Sequence, residues 1–330
     1  MDTRYKPQHK ASLFDSTYPS KSTSTGYDAS FTVSSDYRKS LPDVQNAPEH
    51  TIQGTAVPIL QVGISEFKLP LKFSRKKDAP LTLEATVSGT VSLDAKSKGI
   101  NMSRILRTVY TYQDRPLTPQ CLQAIAKSLK EDLESDRAQL KITFNYPLIQ
   151  TSLRSDLQAY QYYPAAYEVA VEPEGVVRTW VHMDFVYSSA CPCSAELAEH
   201  AKATRSVYAI PHSQRSKARI TVELEPSAEL LSLEDLRSHA LTALKTETQV
   251  LVKREDEQAF AEMNGAYVKF VEDAARLLYA ELVDDERIRD FRIICIHMES
   301  IHPHNAIAIL SKGIPGGLPA ECEDLGSLTC

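Results

Sequence analysis

The sequence predicts an α+β fold, with antiparallel sheets and helices layered on one face, arranged as two units of the same order. Three observations lead there. Several runs rich in β-branched residues alternate apolar with polar, as half-buried strands do. Between them lie segments with apolar residues at helical spacing and recognisable caps. The order strands, helices, strand then occurs twice without obvious identity between the halves, which reads as an internal duplication. The boundaries expected are a flexible tail over 1–55, a first module over 56–150 and a second over 151–330.

Residues 1–55 are rich in Ser, Thr, Pro, Asp, Lys and Tyr and lack aliphatic periodicity. Such a stretch buries too little apolar surface to offset its ordering entropy. Strand character begins at Ala56–Val62 and Ser65–Phe73, and Leu81–Leu93 alternates clearly. Gly99–Tyr112 carries Met102, Ile105 and Leu106 at helical spacing. Thr118 and Pro119 open a helix as N-cap and first helical residue, with Leu122, Ile125, Ala126, Leu129 and Leu133 as its stripe. Leu140–Tyr146 closes the first half as a strand.

In the second half, Ala165–Val171 and Val176–Tyr187 read as a hairpin about Glu172–Gly175. Ala218–Leu224 is a strand, and Ser232 with Asp235 forms a capping box for a helix through Leu244. A helix is expected over about Ala266–Leu282, then strands at Phe291–Ile301 and Ala306–Leu310.

Composition narrows the function classes. Of the 330 residues, 42% are hydrophobic and 24% charged, which is ordinary for a globular protein. A net charge of −6 argues against a general nucleic-acid surface. No apolar run approaches the ~20 residues that span a bilayer, and the N-terminus lacks the apolar core of a secretory signal. Six cysteines without regular spacing make no disulfide framework. A reducing cytoplasm is therefore expected.

Chemistry concentrates in Ser188–Ser194, S-S-A-C-P-C-S. Pro192 fixes its own φ and pushes Cys191 out of the helical region, so a strand stops here and presents Cys191 in a defined direction. Cys191 reads either as a buried small hydrophobe or, with His212, Glu257, His302 and His304 downstream, as part of a transition-metal set of thiolate, imidazole and carboxylate. Taken singly, His212 fits an exposed loop and Glu257 a solvated helix face. His302 and His304, two apart at a strand end, share a face. Glu272 falls beside an apolar stripe, where a carboxylate needs a partner. That partner is either an internal cation or a ligand with two N–H donors, such as a guanine edge. A metal-dependent hydrolase fits the whole set.

These residues also carry a resemblance. V-G-I-S-E-F, S-R-I-L, S-A-C-P-C-S, H-S-Q-R-S, K-R-E-D-E, K-F-V-E-D and H-M-E-S-I-H-P-H-N-A run in order through residues 60–312. The ordered set resembles GTP cyclohydrolase of type IB, a metal-dependent family of the tunnelling fold. The resemblance implies two tunnelling-fold modules in tandem, and a homotetramer with active sites at subunit interfaces. It also implies conversion of GTP to 7,8-dihydroneopterin triphosphate and formate, on the way to folate or related pterins. By the same resemblance Cys191, His212 and Glu257 are catalytic and, with His302 and His304, metal-holding. The ion is manganese or zinc, with iron admitted by the mixed ligands. Glu272 matches the glutamate that anchors the purine. Arg215, Lys253, Arg254 and Arg104 are the candidate triphosphate cations.

The chain departs from the family pattern at Asn101, where His is usual, and at Glu255, where Pro is usual. It also has extra residues between Cys193 and His212, so His200 competes for the place given to His212. Two other readings stay open. One is a related pterin or deazapurine enzyme using Cys191 as a nucleophile without metal. The other is a non-catalytic purine-binding oligomer.

Overall fold

The computed structural model describes residues 27–45, 52–76, 79–321 and 326–328. Most of the expected tail, residues 1–26 and 46–51, lies outside the described residues. The chain divides into two compact units, Met1–Asp43 and Val44–Cys330. In the first, a short helix α1 (Ser35–Lys39) starts where the Ser34 hydroxyl accepts the Tyr37 N–H at 3.1 Å.

The second unit is built on one eight-stranded sheet in which every neighbouring pair is antiparallel and sequence order is spatial order. Its strands are β1 (Ile59–Phe73), β2 (Leu81–Leu93), β3 (Ala138–Thr151), β4 (Gln158–Val171), β5 (Val177–Ala190), β6 (Ser213–Leu224), β7 (Ile288–Glu299) and β8 (Asn305–Ser311). Helices α2 (Met102–Tyr110) and α3 (Pro119–Asp132) stand between β2 and β3. Helix α4 (Pro192–Arg205) stands between β5 and β6, and α5 (Leu233–Leu244), α6 (Arg254–Ala266) and α7 (Val271–Leu282) between β6 and β7. Helices thus interrupt the strand succession between β2 and β3 and again between β6 and β7, with α4 as an additional helix between β5 and β6. Position 150/151, expected as a module boundary, falls at the end of β3 inside the β3–β4 hairpin.

Strand alternation sorts the sheet's two faces. Leu69, Ala85, Phe144, Tyr167, Met183, Ile220 and Ile293 belong to one continuous core beneath α3, α5 and α7. The register carries the row Lys68, Thr86, Thr143, His182, Thr221 and Arg292 along the other face. The helix starts follow local rules. Thr118 Oγ1 accepts the Cys121 N–H at 3.1 Å with Pro119 in the first turn, and Ser232 and Asp235 form the expected capping box. Each such cap contributes about 1 kcal/mol.

Three expectations are corrected. The two runs at the start of the sheet are one strand, interrupted by a bulge between Ile64 and Phe67 with Glu66 at φ 57°. The helix expected over Ala266–Leu282 is α7, which begins only at Val271; Ala266 ends the preceding helix α6, and the four residues between are not helical. Helix α4 has no counterpart in the sequence reading, because Ala201 is its one buried residue and no apolar stripe marks it.

The feature that shapes the site is a split in the sheet. β4 pairs with β5 only as far as Ala165 and Met183, while β3–β4 and β5–β6 continue. The connection after α5 fills the gap: Ser188 N–H donates to Thr246 O at 2.8 Å, and Thr248 N–H to Val186 O at 3.2 Å.

Candidate functional site

β5 ends at Ala190, as Pro192 requires, and Cys191 becomes the N-cap of α4 with Pro192 at its first position. Cys191 is half-buried and stands at the positive end of the helix dipole, its side chain making no capping hydrogen bond. The Ala190–Ser213 register returns the chain beside it, and Cys191 N–H donates to His212 O at 3.2 Å. His212 N–H in turn donates to Ser194 Oγ at 3.2 Å. His200, the competing histidine, is exposed on α4.

His212 Nδ1 is buried and makes no hydrogen bond, although Glu299 Oε2 lies 3.3 Å away outside bonding geometry. Glu299 is fixed by Gln214, whose Nε2 donates at 2.8 Å, and Gln214 Oε1 accepts the Ser189 hydroxyl at 2.7 Å. Behind this lies His297, with Tyr187 OH 2.9 Å from Nε2 and Ser189 Oγ 3.4 Å from Nδ1. Lys269 closes the group, its N–H donating to Ala190 O at 3.3 Å and its ammonium to Tyr267 O at 2.5 Å. Tyr187, Ser189, Gln214, Ser216, His297 and Glu299 occupy facing positions on β5, β6 and β7, so register assembles them on the helix-covered face.

Burial depresses the basicity of this interior. His297 is held down to about 4 by desolvation and by the nearby Lys269 charge, and Lys269 itself to about 8 by desolvation. His297 in the unfolded chain takes up its proton near 6.5, before the folded protein does, so stability falls with pH from there down to about 4. We expect a loss of about 3 kcal/mol over that window from this group. Urea midpoints at pH 7 and pH 5 test it: the difference should shrink in His297→Gln, and an unchanged difference would refute the assignment.

The other expected residues fall in separate places. Arg215 and Glu257 meet in a cleft of about 470 Å³ whose other walls include Gln161, Val186, Thr248, Gln249 and Phe260. Lys253 and Arg254 are exposed at the start of α6. Arg104 lies in the first half, where its guanidinium donates to Asp132 O at 2.9 Å. Asn101, the N-cap of α2, accepts the Ser103 hydroxyl at 2.6 Å. His302 and His304 stand in the β7–β8 turn rather than at a strand end, both exposed, with rings stacked 4.8 Å apart. The premise for Glu272 is corrected: it is exposed on the first turn of α7, since the stripe runs Val271, Ala274, Ala275, Leu278 and leaves it about 100° to one side.

Among the described residues, no three His, Cys, Asp or Glu side chains are grouped to hold a metal ion. Cys191 and His212 nevertheless suit one by donor chemistry. They are a sulfur and an imidazole on adjoining segments, and the imidazole has a buried nitrogen without a hydrogen bond. His297, Glu299, Ser189 and Lys269 were missed as site residues. The available signal was the alternation His297, Glu299 within H-M-E-S, which puts both on one face of a strand.

A family model described as type I GTP cyclohydrolase folE2 matches residues 41–308. The GTP cyclohydrolase FolE2 of Ruegeria pomeroyi is 50% identical over 287 residues, 87% of this chain and 78% of the relative. That of Dinoroseobacter shibae is 48% identical over 299 residues, 90% of this chain and 81% of the relative. The match is to the FolE2 type, where the sequence resemblance is drawn to type IB. Among solved structures, a hyper-thermostable AgUricase mutant aligns with TM-score 0.50 at 10% identity, over 78% of this chain and 93% of that one. At that identity the likeness concerns the fold alone.

Proposed function

The chain belongs to the FolE2 family of type I GTP cyclohydrolases, enzymes of folate biosynthesis, and we propose that its reacting centre is built around Cys191 and His212. GTP is the substrate, and 7,8-dihydroneopterin triphosphate and formate are the products. The observation that carries the site is the pairing of Cys191 with His212 at the ends of β5 and β6, with His212 Nδ1 buried and unbonded.

Opening the imidazole ring of guanine and releasing C8 as formate needs two waters at C8 and cleavage of both C8–N bonds, and closure of the new ring returns one water. Cys191 and His212 would hold a manganese or zinc ion, with Glu257, His302 and His304 as further ligands supplied within the chain or by a neighbouring subunit. Such an ion, when bound, supplies the acidity that makes a nucleophile of water near neutral pH. A histidine free of the ion moves a proton to the ring nitrogen that is released. Glu299 Oε2, 3.3 Å from His212 Nδ1, places a carboxylate beside that imidazole. The cleft holding Arg215 and Glu257 takes the nucleotide, and its volume suits a ligand of that size. Lys253, Arg254 and Arg104 meet the triphosphate, Arg104 from another subunit. Glu272, exposed at the start of α7, binds the guanine edge in an interface site.

The same reading makes the chain two tandem tunnelling-fold modules, assembled as a cytoplasmic homotetramer. The repeated order of strands and helices supports it. Among the described residues, no helix is long and apolar enough to cross a membrane.

Chelator-stripped protein should be inactive on GTP and regain turnover with Mn²⁺ or Zn²⁺, read as fluorescence of the oxidised neopterin product. Full turnover after stripping would favour Cys191 as a metal-free nucleophile. GTP binding without product under any metal would favour a binding protein.

A further inference from the structure

Thr248 and Gln249 of the 246–250 connection line the cleft together with Arg215 and Glu257, and this stretch is fixed from behind. The buried Glu247 carboxylate accepts Arg237 Nη2 at 2.7 Å, Gln150 Nε2 at 3.0 Å and the Tyr163 hydroxyl. Gln150, at the end of β3, also donates to Thr248 O at 2.9 Å and accepts the Val250 N–H at 2.9 Å. The backbone is thereby held on both sides of Gln249.

Gln249 lines the cleft. Its amide is oriented by its own neighbour: Nε2 donates to Glu247 O at 3.1 Å. Turning the amide over would set oxygen against oxygen, so its direction is chosen by the backbone. Its Oε1 is consequently aimed away from that carbonyl, buried, and without a hydrogen-bond partner among the described residues. Native proteins leave few buried acceptors unpaired, and those few call for a reason. Here a reason is at hand, because Gln249 lines the cleft read as the nucleotide site.

We propose that Gln249 Oε1 accepts a hydrogen bond from the nucleoside part of the bound nucleotide and is a specificity-determining residue of this enzyme. The donor is the guanine exocyclic amine or a ribose hydroxyl, with Arg215 in the same cleft meeting the phosphates. The inference rests on the reading of this cleft as the GTP site. A protein acceptor that is satisfied only by substrate discriminates against analogues lacking the matching donor, because it is left unpaired with them.

The test compares the full-length parent, metal-loaded, with Gln249→Leu on GTP, ITP, 2′-deoxy-GTP and 3′-deoxy-GTP. Gln249→Leu should lower kcat/KM for GTP roughly tenfold, the scale of one hydrogen bond. The parent should lose a similar factor on the one analogue without the contacted donor, and the two losses should not combine. ITP as that analogue identifies the amine, and a deoxynucleotide identifies the hydroxyl. No loss in the variant, or the same added loss on all four nucleotides, overturns the proposal. Should the variant melt early, the parent alone decides, since equal use of GTP and all three analogues is also refuting. If the parent turns over no GTP, the proposed reaction fails separately. Calorimetric GTP binding then judges Gln249, and undiminished affinity in the variant, or none in the parent, overturns it.

Discussion

Cys191→Ala should abolish GTP turnover, with kcat reduced on the order of a thousandfold or more, while the protein melts close to the parent temperature. The two halves of that expectation come from different atoms. The contact that docks Cys191 to His212 is a backbone one, N–H to carbonyl at 3.2 Å, and alanine keeps it. Alanine also remains compatible with the strand-to-helix corner, which Pro192 fixes. Only the sulfur is lost, the soft donor that the proposed metal site requires of this residue. Bound metal measured on the purified variant should fall together with activity. Full activity would remove Cys191 from the reacting centre. Early melting would instead make it a packing residue.

Glu247→Ala should be the most destabilising of the polar substitutions, by about 3–5 kcal/mol, the usual consequence of breaking a buried charge pair from one side. Glu247 has 4% of its side chain exposed and Arg237 21%, so the guanidinium left behind is poorly hydrated. Tyr163 and Gln150 lose their acceptor at the same time. Because Glu247 also anchors the connection that fills the gap between β4 and β5, the loss should extend to the cleft wall and raise KM for GTP. Urea midpoints measure the first effect and steady-state kinetics the second. The exposed Lys68–Glu84 pair is the control, with 66% and 72% exposure, and Glu84→Ala should leave the midpoint unchanged. Equal effects from the two substitutions would show that burial does not govern the Glu247 pair.

The Cys191 substitution is already indicated by the sequence, whereas the Glu247 one is not, and the division between what the sequence determined and what it did not is physical. It determined whatever is decided within a few residues. Thr118 with Pro119, and Ser232 with Asp235, begin helices where their local hydrogen bonds dictate. Pro192 ends β5 and sets Cys191 at the corner. Alternation marked the strands, and an ordered series of short motifs carried the family resemblance.

The elements that escaped lack a local signature. Helix α4 buries only Ala201, so no periodicity announces it. The break between α6 and α7 hid inside a run that kept helical spacing, and Glu272 was misjudged with it. The site is the larger case. Cys191, His212 and Glu299 meet through the β5–β6 and β6–β7 registers, which join residues far apart in sequence. The cleft exists because β4 parts from β5 and a connection that begins 75 residues after the end of β4 (246 against 171) enters the gap. Local chemistry is written residue by residue and can be read that way. Register and the filling of a gap are settled by long-range pairing, which only the folded chain decides.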